Sequence, residues 1–240
     1  MAIQETYVDY QHNGATHQAF MAWDDAFEGI RPGVLVAHAW AGRTEFEESR
    51  ARWLASLGYV GFALDMYGKG IRGNSTEENT ALMTPLLEDR GELQGRMATA
   101  LQVMQEQPLV NTAHCAAIGY CFGGLCVLDL ARAGTAIAGV ISVHGLFNPA
   151  DNVAGTPIRA KVLCLHGYDD PMAPPQSVLD LAAELSAAGA DWQLHAFGGT
   201  QHAFTNPQAN DPQMGTVYSA SADARSTVAM ESFLRELFAG

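Results

Sequence analysis

Residues 113–124 read Ala-His-Cys-Ala-Ala-Ile-Gly-Tyr-Cys-Phe-Gly-Gly. The apolar run Ala116 to Ile118 has the character of a buried strand. Gly119-Tyr120-Cys121-Phe122-Gly123 is then a G-x-C-x-G turn, and the apolar stretch Leu125 to Ala133 suits a helix. Strand, sharp turn and helix form the setting in which G-x-nucleophile-x-G carries chemistry. The nucleophile takes a strained φ/ψ and projects above the sheet. Strand and returning helix then run so close that a Cβ at Gly119 or Gly123 would collide. At this glycine and cysteine content the pattern is expected by chance about 0.04 times. The plainer reading is a tight turn holding an ordinary buried cysteine.

Outward from this stretch, apolar runs and helix-forming stretches alternate. Residues 3–10 and 15–24 flank His12-Asn13-Gly14, and Asn-Gly marks a hairpin of two antiparallel edge strands. Val34 to Ala37 is continuously apolar, as in a strand buried on both faces. A glycine-containing loop, 38–43, precedes a helix over about 44–57, where Thr44 and Glu47 have capping-box spacing. Strands follow at 59–64, 137–143, 161–165 and 192–197. Helices are expected at 77–107, broken or kinked by Pro85 and Gly91, and at 176–188 and 221–238. This alternation after one hairpin predicts a mainly parallel central sheet with helices on both faces, in a single domain over residues 1–240.

Composition narrows the function. The chain has 240 residues and a formal net charge of −13. It lacks the Lys/Arg clusters through which nucleic acids and anionic membranes are bound. No apolar run approaches the roughly 18 residues of a spanning helix, and no signal peptide is visible. Cys115, Cys121, Cys126 and Cys164 show neither C-x-x-C nor zinc-like spacing with histidines. Reduced thiols in the cytoplasm and no metal are therefore expected. Cys126 and Cys164 read as small buried hydrophobes.

In open parallel sheets, working residues lie on loops at the carboxyl ends of strands. Cys121, Asp169/Asp170 and His202 all fall there. A sulfur nucleophile needs a base, and the base an orienting group. The order nucleophile, acid, histidine is that of the α/β-hydrolase architecture. His202 completes that order, although His38 and His166 also end strands. Gly167-x-x-Asp170-x-x-x-Pro174 favours Asp170 as the acid, leaving Asp169 as a solvated or turn-capping neighbour. The oxyanion donors expected are the N–H groups of Phe122 and of Trp40. Trp40, Tyr168 and Phe204 are candidates to line an apolar acyl pocket, the alternative being core packing.

Gly119-Tyr-Cys-Phe-Gly-Gly124, His166-Gly-x-Asp-Asp-Pro171, Gly199-x-x-His-Ala-Phe204 and Leu64-Asp-Met-Tyr-Gly68 together resemble the dienelactone hydrolase family, over about residues 30–238. The resemblance implies hydrolysis of an ester or lactone by Cys121, His202 and Asp170 through an acyl-thioester, without a cofactor. Members acting on dienelactone hold the substrate carboxylate with two arginines and place a glutamate in the first oxyanion loop. In this chain that loop reads His38-Ala39-Trp40-Ala41-Gly42, so the glutamate is Ala39. The first arginine corresponds to Arg90, which could bind a carboxylate or be a solvated helix charge. The second position is Asn206. Without the glutamate, Cys121 is expected to pair directly with His202. Other readings are a non-catalytic binding protein with a degraded site, and an acyltransferase using the same three residues.

Overall fold

A computed structural model describes residues 2–239. Its core is an eight-stranded sheet. The strands are β1 (Ile3–His12), β2 (Ala15–Asp24), β3 (Arg31–Ala37), β4 (Val60–Ala63), β5 (Val110–Tyr120), β6 (Gly139–Val143), β7 (Lys161–Gly167) and β8 (Trp192–Phe197). Their order across the sheet is β1-β2-β4-β3-β5-β6-β7-β8. β1 pairs antiparallel with β2, and β2 antiparallel with β4. Every other neighbouring pair is parallel. The β1–β2 turn places Asn13 and Gly14 at φ 46° and 80°. Asn and Gly tolerate that left-handed pair, which matches the twist of a two-residue hairpin.

Among the described residues six α-helices cover the sheet: α1 (Glu45–Ser56), α2 (Thr76–Glu88), α3 (Arg90–Gln105), α4 (Phe122–Arg132), α5 (Pro175–Ala187) and α6 (Ala220–Phe238). Successive strand residues point to opposite faces, and both faces are buried. Val34, Val36, Ala116 and Ile118 join the core under α1 and α6. Leu35, Ala37, Cys115 and Ala117 join the core under α3, α4 and α5. Thr44 and Glu47 form the expected capping box at the start of α1.

The expected long helix is two helices, and the break is not at Pro85. That proline sits inside α2. The chain turns at Asp89 (φ −110°, ψ 84°), whose side chain accepts the Glu92 N–H and so starts α3. A free carboxylate at an N-cap can begin a new helix wherever backbone donors are unsatisfied. A second small hairpin, β9 (Asn210–Asp211) with β10 (Thr216–Val217), lies between β8 and the last helix.

Candidate active site

Cys121 stands at the corner between β5 and α4 with φ 55° and ψ −116°. The glycines around it are sterically required. A Cβ on Gly119 would lie 1.9 Å from the Gly123 carbonyl oxygen, and one on Gly123 2.2 Å from that of Ala37. Backbone cannot yield to such overlaps, so the corner closes only around hydrogen atoms. Its strain is held by two bonds on one donor: the Cys121 N–H reaches the Val143 carbonyl and His144 Nδ1, each at 3.1 Å.

His202 and Asp170 arrive from the loops after β8 and β7. Both are buried. His202 Nδ1 lies 2.6 Å from Asp170 Oδ2, and Asp170 Oδ1 accepts the Met172 N–H at 2.8 Å. The carboxylate therefore fixes the ring with Nδ1–H donated to it. Asp169, by contrast, is exposed, and its N–H bonds the Thr200 carbonyl at 3.0 Å. Nε2 of His202 has no hydrogen-bond partner among the described residues, the Cys121 sulfur included, so the direct pairing expected from the sequence is not a formed bond. Burial works against an imidazolium here. The proximity of Cys121 and the bond to Asp170 outweigh it and push His202 up to about 10.

The second small hairpin clamps this histidine. The His202 N–H bonds the Gly215 carbonyl at 2.8 Å, and the Val217 N–H bonds the His202 carbonyl at 3.0 Å. Gly215 has φ 76°, and a Cβ there would sit 2.2 Å from Pro171. The histidine loop and the acid loop are thus packed together through a residue that must be glycine.

The loop after β3 carries a set of bonds that orients Trp40. His38 Nδ1 lies 2.6 Å from the Ala39 carbonyl, and His38 Nε2 accepts the Met66 N–H at 3.0 Å. The imidazole must then donate from Nδ1. Burial lowers its basicity and keeps it neutral. The Tyr67 hydroxyl donates to the Trp40 carbonyl at 2.8 Å. Asp65, two residues earlier, accepts the N–H groups of Tyr67 and Gly68, each at 2.9 Å. That is the work of the Leu64–Gly68 motif: it props the Trp40 peptide. With both flanking carbonyls held, the Trp40 N–H is aimed and makes no bond among the described residues. The same is true of Phe122 N–H, at the first position of α4. Ala39 stands where a glutamate was expected, yet a carboxylate is still near. Glu47, from α1, accepts the Ala39 N–H at 3.3 Å and the Thr44 N–H at 2.8 Å.

His144 is a site residue that the pattern of letters did not single out. It lies one residue past β6, at φ 38°. Its Nδ1 accepts from Cys121, so its Nε2–H donates to Thr205 Oγ1 at 2.9 Å. Its ring is 5.2 Å from that of His202. Burial, with the neighbouring His202, holds it well below the ordinary histidine range and therefore neutral.

These groups open into a cavity of about 700 Å³ that includes Cys121, His144, His202 and Trp40 in its wall. Arg90, Tyr168 and Phe204 are not in that wall, and each has another engagement. Arg90 binds Asp129 bidentately, at 2.6 and 2.5 Å, and reaches the Asn148 and Pro149 carbonyls. Asp129 is fully buried, so α3 holds its arginine inward against α4 as a structural counter-charge. Tyr168 is 48% exposed and points away, while Phe204 is fully buried against Phe197 and His144. Asn206 does line the cavity.

Residues 18–238 match the dienelactone hydrolase family. The chain belongs to that family. Membership makes it a carboxylic ester hydrolase. Among solved structures it is similar to a dienelactone hydrolase-like promiscuous phosphotriesterase from metagenomic libraries, with 33% identity, a TM-score of 0.93 and 99% of each chain covered. An uncharacterized Caenorhabditis elegans protein is 34% identical over 155 residues, which is 62% of this chain and 96% of that one. An Aquifex aeolicus protein assigned as a carboxymethylenebutenolidase is 25% identical over 85% of this chain and 88% of its own length. As in other α/β-hydrolase folds, the residues of this dienelactone hydrolase family member that converge do so at the carboxyl edge of the sheet. No helix among the described residues is long and apolar enough to cross a membrane.

Proposed function

We propose that this chain hydrolyses carboxylic esters or lactones through an acyl-enzyme on Cys121. The observation that carries this reading is the 2.6 Å bond from His202 to Asp170, with His202 and Cys121 lining one cavity. An imidazole held that way keeps the proton that a thiolate has given up.

The sulfur attacks the carbonyl carbon, and the C=O electrons move onto oxygen. The N–H groups of Phe122 and Trp40 receive that oxyanion. Losing one such donor raises a barrier by about 3 kcal/mol. As the C–O bond to the alcohol breaks, His202 Nε2–H protonates the leaving oxygen. The neutral imidazole then takes a proton from water, whose oxygen attacks the thioester. Collapse returns the electron pair to sulfur, and the acid leaves. Asp170 keeps Nδ1 protonated throughout, so Nε2 is the nitrogen that exchanges protons. All four cysteines are free, which fits a reducing compartment such as the cytoplasm.

The test is turnover of p-nitrophenyl acetate with mass spectrometry of rapidly quenched enzyme. One acetyl group on the peptide containing Cys121 is expected, with loss of turnover in Cys121→Ala. Turnover that persists in Cys121→Ala, or acetyl found only elsewhere, refutes the reading. Diversion of the acetyl group to added alcohols in preference to water would instead favour an acyltransferase.

A second reading is favoured by one observation: no Arg or Lys among the described residues lines the cavity. An uncharged phosphate triester would therefore enter without repulsion or a missing partner. The similar metagenomic protein is described as a promiscuous phosphotriesterase. Paraoxon hydrolysis that depends on Cys121 is the expected side activity.

A further inference from the structure

The charge and shape of the cavity wall select among esters, a conclusion that rests on the hydrolase reading above. Its apolar part comes from Trp40, Phe46, Met83, Leu146, Met172 and Met214. The two charged side chains outside the catalytic set are both acids, Glu45 and Glu47. Glu45 is paired with Arg52 at 2.6 Å in the open, whereas Glu47 is buried beside the oxyanion loop. His202 is already matched by Asp170, 2.6 Å from its Nδ1. Arg50 lies behind the wall, 4.9 Å over the Phe46 ring and 5.7 Å over that of Tyr120, and is bound to the Thr205 carbonyl and to Asp223. Arg90 is committed to Asp129. At the position where the family resemblance expects an arginine, the cavity has Asn206, whose Oδ1 accepts the Gln208 N–H at 3.0 Å.

From this we infer that the substrate is an uncharged ester or lactone with a bulky apolar acyl part, and that Asn206 is a position that sets selectivity against carboxylate-bearing substrates. A carboxylate entering this wall would lose water and gain no cation, while meeting the field of Glu47. Three methionines from separate segments give an adaptable surface, suited to acyl groups of varied outline rather than to one rigid ring. The volume is that of a pocket for a drug-sized molecule.

The experiment compares three p-nitrophenyl esters of similar length: the hexanoate, the mono-ester of adipate, and a trimethylammonium-tipped hexanoate. The adipate ester should show kcat/KM lower than the hexanoate by at least about 100-fold. The cationic ester should fall by less. In Asn206→Arg the adipate-to-hexanoate ratio should rise by at least about 10-fold. Adipate turnover within threefold of hexanoate in the wild-type protein overturns the inference, whatever the variant does. A second readout does not need hydrolysis: protection of Cys121 from iodoacetamide by hexanamide and by adipate mono-amide. Protection by the neutral amide alone, with no ester cleaved, would sink the hydrolase reading while leaving the cavity's preference for uncharged ligands established. Equal protection by both amides overturns it.

Discussion

Replacing His144 with Asn isolates a contact that bridges the Cys121 corner and the loop that carries His202. Asn tolerates the positive φ of this position, so the backbone conformation is kept. Its side chain is too short to hold both partners. The 3.1 Å bond from the Cys121 N–H and the 2.9 Å bond to Thr205 Oγ1 are lost. The Cys121 N–H keeps the Val143 carbonyl, so it is not orphaned. Thr205 is fully buried and loses the donor given for its hydroxyl. One lost bond and one unsatisfied oxygen together cost about 2–4 kcal/mol. For a chain of this length that lowers Tm by about 5–12 °C. The catalytic effect is separate. Thr205 follows His202 by three residues, so the bridge holds the base loop against the elbow. Loosening it by even about 1 Å should reduce kcat roughly 10- to 100-fold. KM for p-nitrophenyl acetate should change little, because the apolar wall is untouched. Steady-state kinetics at a temperature well below the variant's Tm separate the two effects. A kcat within twofold of the wild type, alongside the lowered Tm, would reduce His144 to a packing residue and refute its positioning role.

Arg90→Ala should cost about 3 kcal/mol of stability, because Asp129 keeps Arg132 but loses its bidentate partner. The same variant should leave kcat/KM for neutral and anionic esters unchanged, and a selective loss on anionic esters would return Arg90 to the substrate. Gly123→Ala should destabilise the fold and abolish turnover together, since its Cβ would need the Ala37 carbonyl to move by about 1 Å; an active, stable variant would contradict the close packing of the elbow. The histidine proton gives a pH test. His202 is raised to about 10 from the ordinary 6.5, so the stabilisation from its pairing is complete below pH 6.5 and is lost as pH rises through about 10. NMR of the His202 ring should show a proton retained through neutral pH, with the midpoint falling in Cys121→Ala. A wild-type midpoint near 6.5 would mean that the sulfur and ring are not paired.

How far such features can be read from letters depends on the distance over which their cause acts. The elbow was legible because Gly119 answers a clash within five residues, with the Gly123 carbonyl, and the Thr44–Glu47 box because its bonds close within one helical turn. Asp170 was separable from Asp169 because loop spacing sets which one turns inward. Arg90 was misleading for the opposite reason. Its partner, Asp129, is 39 residues away on another helix, and nothing near Arg90 in the chain announces that pairing. Tyr168 and Phe204 each lie two residues from a residue of the site, but proximity along a loop does not determine side-chain direction, and these two point to solvent and to the core. Asp89 shows the same limit for helices: Pro85 is the stronger breaker by composition, yet a capping carboxylate four residues later set the boundary.

His144 belongs to a third kind of case, in which strand order is the missing link. β5 lies between β3 and β6, with Ala37 beside Gly119 and Tyr120 beside Val143. In a parallel sheet the segments leaving both flanking strands emerge on the same edge as the nucleophile. His38 and His144 are therefore counterparts: each is the first residue past a neighbouring strand, and each meets the corner from one side, His38 through its carbonyl near Gly123 and His144 through its bond to the Cys121 N–H. The oxyanion donor expected after β3 follows from this geometry, and the same geometry holds for the segment leaving β6. Applied evenly, it directs attention to the first polar side chain after each strand that flanks a nucleophile. For this chain, strand order selects His38 and His144.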